Sequence, residues 1–211
     1  MKISPFHISR YVHLHNSTLY VNGEELQQDH SLNNRDFVLK SFKETGSNYP
    51  KFYKMDALSK ATFLAAHHLL AGREEEIRRA GDQTAILLSN AASSLDTDLK
   101  HLADIEDKSN YFPSPSVFVY TLPNIGLGEI CIRYGIKGEN CFYVFENFPA
   151  DFLAKQSEDL MQNNLAQFVI GGWCEVFEDE MDIFLFLAEN SNKGLPLDFD
   201  TLNNLYNKHK K

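Results

Sequence analysis

The sequence predicts an α/β fold, with a mixed sheet of roughly five strands and helices on both of its faces. Three observations lead to this prediction. Short, almost wholly apolar runs such as Thr84–Ser89 and Cys141–Phe145 are typical of strands buried on both faces. Amphipathic stretches with helical spacing separate these runs. Glycines such as Gly135 and Gly138 stand where those stretches end, as helix caps and turns require.

The N-terminal segment begins with an alternating stretch. Ile8–Leu19 alternates apolar and polar residues, which predicts one strand, and Val21–Glu24 predicts a turn. Gln27–Ser47 is polar without a sustained period, so we expect loops there and a short helix around Asp36–Lys43. His13 and His15 point to one side of the strand, where a metal pair is conceivable but a hydrogen-bonded surface pair is the simpler interpretation.

The next part of the chain predicts helix, strand and helix. Asp56–Ala71 has a buried face of Leu, Ala and Phe and predicts a helix. Thr84–Ser89 predicts a strand, and the small residues Ala91–Ser94 follow its carboxyl end, where ligands bind in open α/β sheets. Leu95–Ile105 predicts an amphipathic helix, and the proline-rich Phe112–Ser116 predicts stiff coil.

One stretch, Leu122–Glu175, organises the rest of the fold. Its pattern predicts a helix that ends at a glycine cap, a strand, a sharp turn, a second helix and a second strand. The segments are Ile125–Ile132, Cys141–Phe145, Glu146–Pro149, Asp151–Gln162 and Gln167–Ile170, closed by Gly171 and Gly172. A strand that turns sharply into a helix is where many α/β enzymes expose a nucleophile.

The C-terminal part predicts a strand and a helical tail. Ile183–Leu187 follows the acidic hairpin loop Glu178–Glu180, and Asp198–Lys211 carries apolar residues at helical spacing. The sequence therefore predicts a single domain over residues 1–211, with a core of about 8–190 and a helical tail over 195–211.

Composition excludes several classes of protein. The chain has 211 residues, 43% hydrophobic content and a net charge of −9, which is globular and disfavours a nucleic-acid partner. The longest apolar runs are too short for a membrane span, and the N-terminus has no secretory signal, so we expect a cytoplasmic protein. The three cysteines, Cys131, Cys141 and Cys174, have no metal-ligand spacing and are expected to be free thiols. We expect no metal and no cofactor.

Six motifs carry a resemblance to a known family and span most of the chain from Lys54 to Glu189. They are Met55–Lys60 (MDALSK), Asp82–Ala91 (DQTAILLSNA), Pro123-Asn124, Tyr134–Asn140 (YGIKGEN), Gly171-Gly172 followed by Glu175, and Met181–Ala188 (MDIFLFLA). Together they resemble the β-ketoacyl synthases of fatty-acid and polyketide assembly. The resemblance implies the N-terminal half of that family's thiolase-like fold.

The resemblance also implies a missing nucleophile. The position of the family's catalytic cysteine is occupied by Asn147, next to Glu146, and an amide cannot form the thiolate that holds an acyl chain. The family's catalytic histidines belong to the second half of its pattern, and no histidine here matches them. We therefore predict no catalytic residues, and Cys141, six residues before Asn147, is a poor substitute.

Proteins that lack this cysteine resemble chain-length factors, and half-length versions resemble subunits of aryl-polyene or flexirubin-type pigment clusters. The resemblance implies pairing with a catalytic ketosynthase as a heterodimer, or a homodimer in its absence, with an acyl carrier protein reached through the partner. Two residue sets are implied. The candidate gate of an acyl tunnel is Val117, Phe118 and Tyr120, and the candidate dimer-interface strand is Cys141, Phe142, Tyr143, Val144 and Phe145.

Two other functions stay open at this point. A stand-alone malonyl-thioester decarboxylase would use Asn147 or Glu146 beside the N–H groups of the following helix. A binding module for acyl groups or other small molecules would use the crevice between Ala91–Ser94 and Asn147.

Overall fold

The computed structural model describes residues 5–106 and 114–210. The sequence prediction for Phe112 and Pro113, and for most of the polar loop after Glu106, therefore lies outside the described residues. The described part of the chain forms eight strands. They are β1 Phe6–His15, β2 Thr18–Val21, β3 Glu24–Gln28, β4 Thr84–Asn90, β5 Asn140–Val144, β6 Phe168–Phe177, β7 Glu180–Asn190 and β8 Leu195–Pro196.

All strands belong to one mixed sheet in the order β3-β2-β1-β7-β6-β4-β5, with β8 paired to β1. Strand β4 runs parallel to both β5 and β6, and the other pairings are antiparallel. The five strands from β1 to β5 in this order are the predicted mixed sheet. The short β2, β3 and β8 extend this sheet. Strand β3 is largely exposed and β8 has only two residues, both exposed, so neither carries the apolar pattern that marks a strand in sequence.

Helices cover both faces of the sheet, as predicted. The helices are α1 Asn34–Glu44, α2 Ala57–Leu69, α3 Glu74–Ala80, α4 Leu95–Glu106, α5 Pro115–Val119, α6 Asn124–Tyr134, α7 Ala150–Gln162 and α8 Phe199–Asn207, with 3-10 turns at Pro50–Lys54 and Gly81–Gln83. Within the described residues, no helix has the length and apolar character that crossing a bilayer requires.

Helix α2 is the centre of one layer. Asp56 caps its N-terminus by accepting a hydrogen bond from the Ser59 N–H at 2.9 Å. The helix packs between the sheet and α1 and α6, and its residues Phe63 and Leu64 are fully buried. Helix α6 ends at Gly135, whose φ of 71° is the left-handed cap conformation that the sequence predicted. The expected apolar face of α6 is correct except for Ile132, which is 67% exposed.

Helices α7 and α8 form the other layer. Their apolar residues Leu153, Leu202 and Tyr206 pack with Trp173 and Phe184 from the sheet into a second core. The predicted amphipathic tail is thus the helix α8, and its Asp198 cap accepts from the Thr201 N–H at 2.8 Å.

Two strand predictions were wrong in extent. Ile8–Leu19 is a hairpin, since Asn16 and Ser17 both adopt positive φ and turn the chain between β1 and β2. Strand β6 does not stop at Ile170 but continues to Phe177, because Gly171 and Gly172 are paired to β4 and β7 on both sides. A Cβ at Gly172 would collide with the carbonyl oxygen of Phe184, so the glycine permits the close backbone approach that its position predicted.

The proline-rich segment was also predicted incorrectly in part. Pro115–Val119 is a short helix, α5, and not coil, because Pro115 occupies its first position, where the missing N–H is harmless.

Candidate functional site

The turn after β5 presents Asn147 at the surface. Glu146 and Asn147 are exposed, while the next residue, Phe148, packs its ring against Tyr206 at 4.2 Å between centroids. Pro149 precedes the first helical residue of α7. The sequence therefore placed this elbow correctly. Its exposed amide can donate and accept hydrogen bonds, but it cannot act as a nucleophile at neutral pH.

The cysteines do not replace the missing nucleophile. Burial raises the pKa of the Cys131 thiol to about 11 and that of Cys174 to about 12. Thiols with such pKa values are protonated and inert near neutral pH. Cys141 lies in β5 and is half-buried among the residues of the second core, away from the turn. All three thiols are free, as predicted, although only Cys174 is fully buried.

Strand β5 is the last strand of the sheet. The prediction that both its faces are covered is correct, since Phe142 packs on the first core and Cys141, Tyr143 and Phe145 pack on the second. The burial of these faces is only partial, and Val144 is 59% exposed; β5 is also an edge strand, as a dimer-interface strand would be. An edge strand leaves one row of backbone donors and acceptors available to another chain.

The hydrogen bonds to β4 show which groups face outward. The Ile86 N–H donates to the Glu139 carbonyl at 2.8 Å, and the Phe145 N–H donates to the Asn90 carbonyl at 2.9 Å. Odd-numbered residues of β5 therefore face β4, and the backbone groups of Phe142 and Val144 face the open edge.

Two of the three predicted gate residues lie in one cleft. Val117 and Tyr120 line a cleft of about 150 Å³ together with Met55, Thr97 and Lys100. The hydroxyl of Thr97 donates to the Asp56 carboxylate at 2.9 Å, which joins α4 to the start of α2.

The gate residues differ in exposure. Tyr120 is buried, and burial, with smaller contributions from the charges of Glu129 and Asp56, raises its pKa to about 12. Phe118 is 61% exposed and contacts His101, so the structure does not place it with the other two.

The crevice at the carboxyl end of β4 is occupied by the chain's own carboxylate. Glu175 accepts hydrogen bonds from the N–H groups of Ala91 at 2.6 Å and Ala92 at 3.3 Å. The Ser94 hydroxyl donates to the Thr121 carbonyl at 2.7 Å. These donors are therefore not available to an anionic ligand.

A polar cluster at Asp182 was not recognised from the sequence. His13 is fully buried, and its Nε2 lies 2.8 Å from the Asp182 carboxylate. Tyr206 donates to the same carboxylate at 2.7 Å, and Lys210 also pairs with it. Burial raises the pKa of Asp182, but the hydrogen bonds and charges of His13 and Lys210 outweigh it and lower the pKa to about 2.

The prediction of a surface histidine pair was therefore wrong for His13, because α8 covers this part of β1. His15 lies 4.0 Å from the same carboxylate. Within residues 5–106 and 114–210, no group of three His, Cys, Asp or Glu side chains is arranged to hold a metal ion. The cluster ties α8 and the residues after it to the sheet.

Comparison with known proteins identifies the fold. No protein-family model matches the chain, and no curated protein matches it. Among solved structures, the chain is similar to the ishigamide ketosynthase/chain length factor, with a TM-score of 0.63 and 14% identity over 90% of this chain and 63% of that chain.

Two further structures are similar. One is AntDE:AntF, a type II polyketide synthase acyl-carrier protein in complex with its ketosynthase bound to the hexaketide, with a TM-score of 0.59 and 11% identity over 87% of this chain and 63% of that chain. The other is a β-ketoacyl synthase from Burkholderia phymatum STM815, with a TM-score of 0.56 and 9% identity over 90% of this chain and 59% of that chain. The chain thus spans about three fifths of the length of these proteins. It has the thiolase-like fold that the motifs implied.

Proposed function

We propose that this protein is a non-catalytic ketosynthase-like subunit, similar to a chain-length factor, that pairs with a catalytic β-ketoacyl synthase. The products of such a pair belong to fatty-acid or polyketide-type assembly, and an aryl polyene is the specific product class that we propose. An acyl carrier protein would be reached through the catalytic partner, because this chain carries a net charge of −9 and would repel an acidic carrier.

The elbow is the observation that carries this proposal. Asn147 lies at the exposed turn between β5 and α7, and the resemblance of the flanking motifs assigns the family's cysteine to this position. Claisen condensation needs a thiolate at that position to carry the acyl chain. The protonated, buried thiols of Cys131 and Cys174 do not supply one. A role in shaping the chemistry of a partner is what this arrangement supports.

The open edge of β5 supports pairing. Its outward backbone groups can extend the sheet into a second subunit, as in strand addition. Exposed apolar side chains on α4, on α5 and after α5 offer a further surface to a partner. In α4 they are Leu95, Leu99, Leu102 and Ile105, and beyond it they are Phe118, Val119 and Leu122. Exposed apolar area of this kind promotes aggregation of an isolated chain and stabilises an interface when a partner covers it.

Co-expression with a catalytic ketosynthase encoded nearby tests the proposal. We expect light scattering after size exclusion to show a heterodimer with the ketosynthase, and a homodimer when this chain is expressed alone. We expect condensing activity only in the mixed pair and only from the partner's cysteine. A chain that stays monomeric in both preparations contradicts the proposal.

A proline at the open edge tests where the pairing occurs. Val144→Pro removes an N–H that faces outward, so β4 pairing is kept and the fold should survive. We expect light scattering to show loss of the dimer. Val144→Ala is the matched control, since it shortens the same side chain but keeps the N–H, and it should retain the dimer. Equal dimer fractions in the two variants would place the interface elsewhere.

We also propose a cytoplasmic location. The three cysteines are free, which suits a reducing compartment.

A further inference from the structure

A second cavity adjoins the gate cleft and has no assigned role. It has a volume of about 210 Å³ and lies between α1, the start of α2, α4 and β7. Met55, Asp56 and Lys100 line both this cavity and the cleft of Val117 and Tyr120, so the two spaces are neighbours.

The walls of this cavity are mostly apolar. Val38 and Leu39 come from α1, Met55 and Ala57 from the start of α2, and Met181 from β7. Drug-sized ligands fill cavities of about 300–1,000 Å³, so this smaller space suits a ligand with a short apolar body.

The charges around the cavity leave one cation without a partner. Arg35 and Lys100 both pair with Asp96, at 2.7 Å and 2.6 Å. The Asp56 carboxylate is engaged by the Ser59 N–H and the Thr97 hydroxyl. The Lys60 backbone N–H donates to the Asp56 carbonyl at 3.0 Å, but the Lys60 ammonium makes no hydrogen bond or ion pair with any residue in the described part of the chain.

The balance of charge at this cavity is positive. Three cationic side chains face two carboxylates, which leaves one positive charge on a chain whose net charge is −9. Burial lowers the pKa of Lys60; the charge of Asp56 opposes this, and those of Arg35 and Lys100 add to it. A half-buried ammonium without an ion pair is stabilised by a guest anion.

We propose that this cavity binds a small monocarboxylate with an apolar body, whose carboxylate pairs with Lys60 and whose body lies between Val38, Met55 and Met181. A single unpaired ammonium matches one carboxylate, and the sulfur-containing walls adapt to an aliphatic or aromatic body. The site lies within this subunit and does not depend on the proposed pairing with a ketosynthase.

The methionines provide a direct test. The full chain has four methionines, of which Met55 and Met181 line the cavity, while Met161 packs in the opposite core. In methyl-labelled methionine NMR, we expect octanoate to shift the Met55 and Met181 signals saturably and to leave Met161 unchanged. The affinity for octanol should be lower than that for octanoate by about tenfold or more, because octanol lacks the negative charge. Octylammonium should not bind.

Substitution of the lysine completes the test. Lys60→Gln should weaken octanoate binding about tenfold or more, whereas Lys60→Arg should retain it. Lys155→Gln, on the exposed face of α7, is the control and should bind as the wild type does. Equal affinity for octanoate and octanol, or unchanged octanoate affinity in Lys60→Gln, would overturn the proposal. The comparison of octanoate with octanol uses the wild-type chain and so holds even if Lys60→Gln does not fold.

Discussion

At the scale of single residues, Asn147 decides what the elbow can do. Its side chain is exposed and takes part in no hydrogen bond within the described residues, so neither the fold nor the turn depends on it. Its place on a turn between a strand and a helix was predicted from the sequence, and the structure confirms it.

Replacing Asn147 therefore distinguishes a non-catalytic subunit from a stand-alone decarboxylase. We expect Asn147→Ala to change the free energy of unfolding by less than about 0.5 kcal/mol, as is usual for exposed positions. The activity of the mixed pair with a ketosynthase should be unchanged. Carbon dioxide release from a malonyl thioester by the isolated chain should be absent before and after the substitution. Release that Asn147→Ala abolishes would instead support the stand-alone decarboxylase.

A second residue-scale effect concerns pH. His68 lies on α2, and burial, followed by the charges of His67 and Arg10, lowers its pKa to about 4. Its Nε2 is buried and has no hydrogen-bond partner in the described structure. The folded chain therefore holds this imidazole neutral in a range where the unfolded chain protonates it.

Acidification should then destabilise the fold. Between pH 6.5 and about 4 the unfolded state binds the proton and the folded state does not, so His68 alone lowers the free energy of unfolding by up to roughly 3 kcal/mol. Below about pH 4 both states bind the proton, so this destabilisation by His68 stays at its full value. Urea titrations across this range should show a shallower pH dependence for His68→Gln than for the exposed control His30→Gln. Equal pH dependence of the two variants would contradict the assignment.

At the scale of elements, Gly172 in β6 and Gly128 in α6 differ in the space available for a side chain. Gly172 lies where a Cβ would meet the backbone of β7, whereas a Cβ at Gly128 would meet nothing within 4 Å. Both residues are interior to their elements, so the sequence pattern alone does not distinguish them.

This contrast gives a matched pair of substitutions. Gly172→Ala should destabilise the protein by about 2 kcal/mol or more, because overpacking forces the β6 and β7 backbones apart. Gly128→Ala should stabilise it by about 0.5–1 kcal/mol through helix propensity. Thermal unfolding measures both effects. Destabilisation by both substitutions, or by neither, would contradict the packing at Gly172.

The elements themselves were largely predictable because their signals are local. Helices α1, α2, α4, α6, α7 and α8, and strands β4, β5 and β7, follow periodicity, caps and glycine boundaries within a few residues of their ends. The hairpin at Asn16-Ser17 and the length of β6 were not predictable, since both depend on strand pairing with distant segments. The exposure of β5 depends on its place at the sheet edge, which no local pattern records.

The candidate site was predictable only in part for the same reason. The elbow is local, so its position followed from sequence. The cavity at Lys60 assembles residues from α1, α2, α4 and β7, and the Asp182 cluster joins His13 to Tyr206 and Lys210. The spacing of His13 and His15 was the one sign of this cluster in the sequence. The carboxylate of Asp182, which pairs with His13, lies too far along the chain to be recognised as its partner.

At the scale of the whole molecule, net charge and edge pairing act against each other in a homodimer. Two copies that each carry a charge of −9 repel, while backbone hydrogen bonds and apolar side chains at β5 attract. Screening by salt weakens only the repulsion.

The homodimer should therefore tighten with salt. Raising the ionic strength from about 0.05 M to about 0.5 M should lower its dissociation constant, as measured by sedimentation equilibrium. The Val144→Pro variant should stay monomeric at both salt concentrations, which controls for nonspecific association. A dimer that weakens as salt rises would indicate an interface built on ion pairs.

The pairing of β1 with β7 sets the order in which a nascent chain can complete this fold. Phe6 lies opposite Asn190, so β1, which is synthesised before the other strands described here, waits for β7 before the middle of the sheet can form. Until then β6 lacks its antiparallel neighbour. Synthesis from the N-terminus therefore favours completion of the sheet only after β7 has been made, when strands far apart along the chain are present together.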